Sequence, residues 1–304
     1  MDGIVLTIGK FEGLHLGHQA LITEVIRQAE RAKMNAAVMV FEPYPYVFFS
    51  GEDYRPLFTN TERELLLHKF GIKHVIVQPF DAEFAALSPT EFCEKIFRHL
   101  NAKVVVVGEG YRFGCGREGT VELLQSQAAN FGAAVQIVPA KTTSLNEGIT
   151  ISTSLLRRLL TGNELSEARQ LQGFPFFVSG TTEKGRQLGR TLGFPTLNLY
   201  PNEAEKFLLP DGVYATRTTI DGVTHPSVTN IGLRPTVEKD SKKRSVETHL
   251  LNFTAIHFPE LYEKNIKVEF LQFIRGEKKF ASLDELKAQI ALDTDAVRTI
   301  SPYP

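Results

Sequence analysis

The periodicity of the chain changes near Phe176, and that change limits the folds open to it. Before it, apolar runs of strand length alternate with stretches of helical spacing. Strand-like runs at 4–8, 36–41, 74–77, 103–107 and 134–138 are separated by helix-like stretches at 19–33, 61–70, 88–99 and 121–131. Residues 103–107 include four valines, the composition of a strand buried on both faces. Ser88-Pro89-Thr90-Glu91 reads as a helix start, with Ser88 as cap and Glu91 closing a capping box. Strand–helix alternation of this kind predicts an α/β, doubly wound parallel sheet.

After Phe176 the segments are short, rich in Thr, Val and Tyr, and broken by Gly, Pro, Asn and Asp. Asp221-Gly222 between two such runs is a hairpin signal. This half predicts a smaller antiparallel β-barrel or sandwich. It closes with a C-terminal helix at about 282–292, with Leu283, Leu286 and Ile290 on one face and Asp284 and Glu285 in the first turn. The stretch 152–173 reads as helical, ending the first domain and leading into the second. The expected domains are therefore 1–173 and 174–304. The cluster 238–244 reads as a solvated charged loop.

At 304 residues the chain is long enough for two cores. A net charge of −1 gives no basic field for nucleic acid or anionic lipid. The two cysteines, Cys93 and Cys115, form no CxxC pair, so neither a zinc site nor a disulfide framework is indicated. Arg112 and Arg117 near Cys115 favour a thiolate, although a reduced thiol without a role is the plainer reading. No apolar run reaches membrane-spanning length. The sequence opens on a strand without a charged leader, so a cytoplasmic protein is expected.

Chemistry concentrates in two places. The loop after the first strand reads Gly9-Lys-Phe-Glu-Gly-Leu-His-Leu-Gly-His18. Its glycines let backbone approach a phosphate, and the helix beyond offers free N–H groups and a positive end. His15 and His18, three apart, share one face of a first helical turn, placed to stabilise charge on a transferred phosphoryl group. Farther on, Gly185, Gly189 and Gly193 stand near Arg186 and Arg190 in a run that suits phosphate. Thr196 and Asn198, two apart on a strand, offer neutral oxygens for a magnesium ion that keeps phosphate and water as its other ligands.

These runs carry a resemblance. Gly9-x-Phe-Glu-Gly-Leu-His-Leu-Gly-His resembles the HxGH signature of nucleotidylyltransferases, in the form found in bacterial bifunctional riboflavin kinase/FAD synthetases. Phe41-Glu-Pro-Tyr-Pro45, Val107-Gly-Glu-Gly-Tyr-Arg-Phe-Gly114, Gly116-Arg-Glu-Gly119 and Ile151-Ser-Thr-Ser-Leu-Leu-Arg157 follow in that family's order. Gly185-Arg-Gln-Leu-Gly-Arg-Thr-Leu-Gly-Phe-Pro-Thr-Leu-Asn198 is similar to its riboflavin kinase signature. So are the blocks 228–236, 246–253 and 274–280.

The resemblance implies that ATP phosphorylates riboflavin to FMN and that a second ATP adenylylates FMN to FAD with release of pyrophosphate. On the adenylyl side, Gly9, Phe11, His15, Gly17 and His18 would handle ATP, with Ser152, Thr153, Ser154 and Arg157 clamping the triphosphate. Arg112 and Gly114 would face the flavin. On the kinase side, Glu247 would be the general base, Thr196 and Asn198 would hold Mg2+ with ATP, and Gly185, Gly189 and Arg190 would meet its phosphates. Asn230 and Arg275 would contact flavin. The implied partners are these small molecules alone. Lys10 stands where the family commonly has Asn, and Gly110 where it has Asp. These departures leave open a relative with kinase activity and a slow first half, or a flavin- or nucleotide-binding protein without turnover.

Overall fold

The computed structural model describes residues 3–50, 54–143, 148–184, 189, 192–201, 206–233, 244–253 and 260–300. The chain divides into two compact units, Met1–Thr153 and Ser154–Pro304. The division falls earlier than the expected 173, because the helices of 153–172 group with the second unit.

In the first unit, β1 (Ile4–Ile8), β2 (Asn35–Glu42), β3 (His74–Pro79), β4 (Ala102–Gly108) and β5 (Ala134–Val138) form one parallel sheet in the order β3-β2-β1-β4-β5. That order places β1 centrally, between β2 and β4. Val5, Leu6 and Thr7 of β1 are all fully buried, as expected of a strand covered on both faces. The helix α1 (Leu16–Ala32) packs on β1, β2 and β4 through a face that buries Ile22, Val25 and Ala29. It starts before the expected Gln19, because His15 caps it.

Helices α2 (Pro45–Ser50), α3 (Asn60–Lys69), α4 (Ala82–Ala85), α5 (Pro89–Glu94) and α6 (Val121–Asn130) complete the unit. Both Ser88 and Thr59 close capping boxes, with Glu91 and Glu62 respectively. The expected helix to His99 changes to a wider π-helical turn at Lys95–His99, which buries Ile96 and Phe97.

The second unit begins with α7 (Thr153–Thr161) and α8 (Leu165–Gln172). It continues as β6 (Phe177–Glu183), β7 (Leu197–Pro201), β8 (Gly212–Ile220), β9 (Val223–Leu233), β10 (Arg244–Leu250) and β11 (Asn265–Arg275). These six strands close a barrel in the order β10-β7-β6-β11-β8-β9, every pairing antiparallel. Closure decides between the barrel and sandwich alternatives, and it leaves no unpaired sheet edge.

The β8–β9 hairpin turns at Asp221 and Gly222, both at positive φ (46° and 82°), as its tight turn requires. Arg244 is no loop charge: it opens β10 and pairs with Asp211 at 2.6 Å, while 238–243 lie outside the described residues. The last helix, α9 (Leu283–Thr299), runs past the expected Leu292 because Val297 packs into a core with Val213, Ala215, Val228 and Leu251.

Candidate active sites

The loop between β1 and α1 is held in place before any ligand arrives. Phe11 and Leu14 adopt positive φ (48° and 43°) and bury their side chains completely. Such a backbone persists in non-glycine residues only where its surroundings hold it. Here the Gly9 N–H donates to the Met39 carbonyl at 3.1 Å, and the Gln19 amide to the Leu14 carbonyl at 2.7 Å. Glu12, almost fully buried, accepts from the Tyr54 hydroxyl at 2.7 Å and from the Leu57 N–H at 3.2 Å. Arg63 is also buried, and donates to the Lys10 carbonyl at 3.2 Å while its guanidinium lies over the Tyr44 ring.

On this loop, His15 caps α1. Its Nδ1 accepts from the His18 N–H at 3.4 Å, so a neutral His15 carries its proton on Nε2. The two rings stack with centroids 3.8 Å apart and planes at 17°. Gly17 permits this fit, since a β carbon there would lie 3.1 Å from the His15 ring. Burial lowers the His15 pKa to about 4. Burial, then the charges of His15 and Lys10, holds His18 well below the usual histidine range. Both imidazoles are therefore neutral near pH 7, and they can stabilise phosphate charge as hydrogen-bond donors rather than as cations. The His18 Nδ1 is buried without a hydrogen-bond partner among the described residues.

Gly9, Lys10, Phe11 and His18 line a cavity of about 740 Å³. Its other walls are aromatic (Phe41, Tyr46, Phe49, Phe80, Phe84) and, farther round, the segment from Gly108 through Arg112 and Gly114 to Arg117. Phe113 also lines it, but is nearly buried and packs on Phe92 at 5.0 Å. Gly110 lines both this cavity and an adjoining one of about 230 Å³, where it meets Gly17, Lys141 and Ile151. A β carbon on Gly110 would meet nothing within 4 Å. The Ile151 N–H donates to the Lys141 carbonyl at 2.8 Å, bringing the chain before Ser152 and Thr153 beside Gly17. Ser154 and Arg157 belong to the second unit, where Arg157 lies over the Phe207 ring at 5.1 Å.

The second unit holds a cavity of about 550 Å³ on the β9–β10 side of the barrel. Register builds it: Glu247 stands opposite Asn198 of β7 and opposite Asn230 of β9. Glu247, Asn230, Thr196, Gly189 and Arg275 all line the cavity. Asn198 is buried, in register with Glu247 on one side and Glu183 on the other. Gly185 and Arg190 lie outside the described residues.

Arg275, which lines the cavity, also has a partner in the last helix. Its guanidinium forms a fork with the buried Asp293 of α9, at 2.7 and 2.9 Å, and Gln289 donates to the same carboxylate. The pair pins α9 against the cavity. Leu286 and Ile290, expected on one face of the helix, form part of the cavity wall. Sequence reasoning missed His249, which lines the cavity two residues beyond Glu247. It also missed Glu12 and Arg63, whose long-range partners leave no local pattern.

Among the described residues, no three His, Cys, Asp or Glu side chains group to hold a metal ion. An ion bound by hydroxyl, amide and phosphate oxygens needs no such group. Thr196 and Glu247 line one cavity and Asn198 stands opposite Glu247, and their hydroxyl, carboxylate and amide oxygens are hard donors of the kind Mg2+ takes. No described helix is long and apolar enough to cross a membrane.

Comparison with known proteins finds a match for each half of the chain. A family model described as FAD synthetase matches residues 1–154, and one described as riboflavin kinase matches 172–301. A protein of Escherichia coli K12 named bifunctional riboflavin kinase/FMN adenylyltransferase is 38% identical over 296 residues, covering 96% of this chain and 91% of that protein. One of the same name from Pseudomonas fluorescens is 34% identical over 301 residues, covering 98% and 93%. A crystal structure described as a macrolide-efflux protein from Streptococcus pneumoniae superposes with a TM-score of 0.87 at 28% identity, covering 99% of this chain and 95% of that one.

Proposed function

Because the chain belongs to the bifunctional riboflavin kinase/FMN adenylyltransferase family, we propose that its barrel phosphorylates riboflavin and its parallel-sheet unit adenylylates the FMN produced. The observation that carries the kinase half is Glu247 in register with Asn198 and lining one cavity with Thr196. The Glu247 carboxylate takes the proton from the ribityl 5′-hydroxyl as that oxygen attacks the γ-phosphorus of ATP, and ADP leaves. Thr196 and Asn198 hold Mg2+, which offsets charge on the phosphates when bound. Gly189, Gly185 and Arg190 meet the phosphates. Asn230 and Arg275 contact the flavin, and Arg275 also fixes α9 as a wall through Asp293.

In the first unit an FMN phosphate oxygen attacks the α-phosphorus of ATP and pyrophosphate leaves, with no covalent enzyme intermediate. Neutral His15 and His18 donate hydrogen bonds to phosphate oxygens at the positive end of α1, beside Gly9, Phe11 and Gly17. Ser152 and Thr153 add hydroxyl contacts to the triphosphate. The apolar, aromatic wall of the larger cavity suits an isoalloxazine ring, with Arg112 and Gly114 at its edge. The FAD synthetase match over residues 1–154 and the bifunctional relatives support a two-activity enzyme over a kinase-only relative.

Glu247→Gln tests the assignment: FMN formation is lost while FAD still forms from supplied FMN. His18→Ala does the reverse, slowing FAD formation by about 10²–10³. Loss of both activities in either variant contradicts separate sites.

A further inference from the structure

Phe194, Pro195 and Thr196 lead into β7, and two contacts hold this turn. The Phe194 N–H donates to the Gly189 carbonyl at 2.8 Å, and a β carbon on Gly189 would lie only 2.3 Å from the Phe194 oxygen. From β10, His249 Nδ1 lies 2.8 Å from the Pro195 carbonyl oxygen, and its ring meets Phe194 edge-on at 5.5 Å and 81°. A carbonyl can only accept, so Nδ1 carries the proton. Burial and the charge of Arg298 lower the His249 pKa, while the Pro195 bond opposes them. The ring is neutral, its tautomer set by Pro195, and Nε2 is left as an acceptor. Glu247, His249 and Thr196 line the same cavity.

We propose that His249 is a positioning residue for phosphoryl transfer: its Nδ1–H bond to the Pro195 carbonyl fixes where the Thr196 hydroxyl stands relative to Glu247. It acts on the nucleotide–metal side of the cavity and not on the flavin side. Such a strand-to-turn bond resembles the outer hydrogen bonds that aim ligands in metal sites, where loss of the bond weakens the site without removing a ligand. The proposal rests on the kinase reading above.

The test uses the full chain and the variants His249→Ala, His249→Asn and His249→Gln. An Asn amide nitrogen takes the place of Nδ1, and that of Gln reaches the place of Nε2. Two quantities are read: the KM values for FMN formation, and calorimetric affinity for ADP with and without Mg2+. His249→Ala is expected to raise KM for Mg–ATP about tenfold and to shrink the gain in ADP affinity from Mg2+ by a similar factor. KM for riboflavin stays within about twofold. Asn restores both quantities, and Gln behaves as Ala does.

The unfolding midpoint of the barrel, compared with that of the wild type, reports whether each variant is folded; if Ala fails there, the Asn–Gln contrast decides alone. Equal behaviour of Asn and Gln, a rise confined to the riboflavin KM, or an unchanged Ala variant overturns the proposal. A wild type that made no FMN would remove the kinase reading itself, while the ADP titrations would still test His249.

Discussion

His15 and His18 stack at 3.8 Å, a distance at which two charged rings would repel. Burial removes the conflict by keeping both neutral, and this has a cost at low pH. The unfolded chain protonates His15 near pH 6.5, whereas the folded chain does so only near pH 4. Between those values the unfolded state binds more protons, so stability falls as pH drops through the window and levels off below it. The loss approaches about 3 kcal/mol for His15. His15→Asn retains a capping side chain and is expected to flatten this part of the unfolding-midpoint profile; an equally steep profile would contradict it. Both histidines were legible in the sequence, because spacing and flanking glycines are local signals. Their neutrality was not, since it depends on Phe11, Gly17 and the buried surroundings. Glu12 and Arg63 stayed hidden for a similar reason: the contacts of Glu12 with Tyr54 and Leu57, and of Arg63 with the Lys10 carbonyl, span more than forty residues.

At the scale of elements, the five parallel strands and the hairpin at Asp221-Gly222 were readable from apolar runs and turn chemistry. The interior of the barrel was not. Thr216, Thr218, Ser227, Thr229 and Thr248 are fully buried there and hydrogen-bond to one another, the Thr216 hydroxyl lying 2.7 Å from those of both Ser227 and Thr229. In sequence these residues look like the polar face of half-exposed strands. Only barrel closure turns them inward, where each hydroxyl satisfies the next. Thr216→Val keeps the volume but strands its neighbours, and is expected to cost about 1–3 kcal/mol in denaturant unfolding. A neutral result would show that the cluster does not stabilise the barrel. A C-terminal helix was foreseen as far as Leu292, but not its last turns or its role: Leu286 and Ile290 wall a cavity, with the Arg275–Asp293 fork beneath that role.

On the scale of the whole molecule, two units with separate cores carry two distinct chemistries on one chain. The order of the motifs made both units legible, while the assignment of 154–172 to the second depended on packing that no local pattern reports. Both reactions use ATP but transfer different phosphorus atoms, and isotopic labelling separates them. The chain is incubated with riboflavin, Mg2+ and ATP labelled at either the γ- or the α-phosphorus. With γ-label, FMN and FAD are both expected to carry it. With α-label, FAD alone carries it and FMN is unlabelled. γ-Labelled FMN without α-label in any flavin would contradict adenylyl transfer by the first unit, and absence of label from every flavin would contradict the account as a whole.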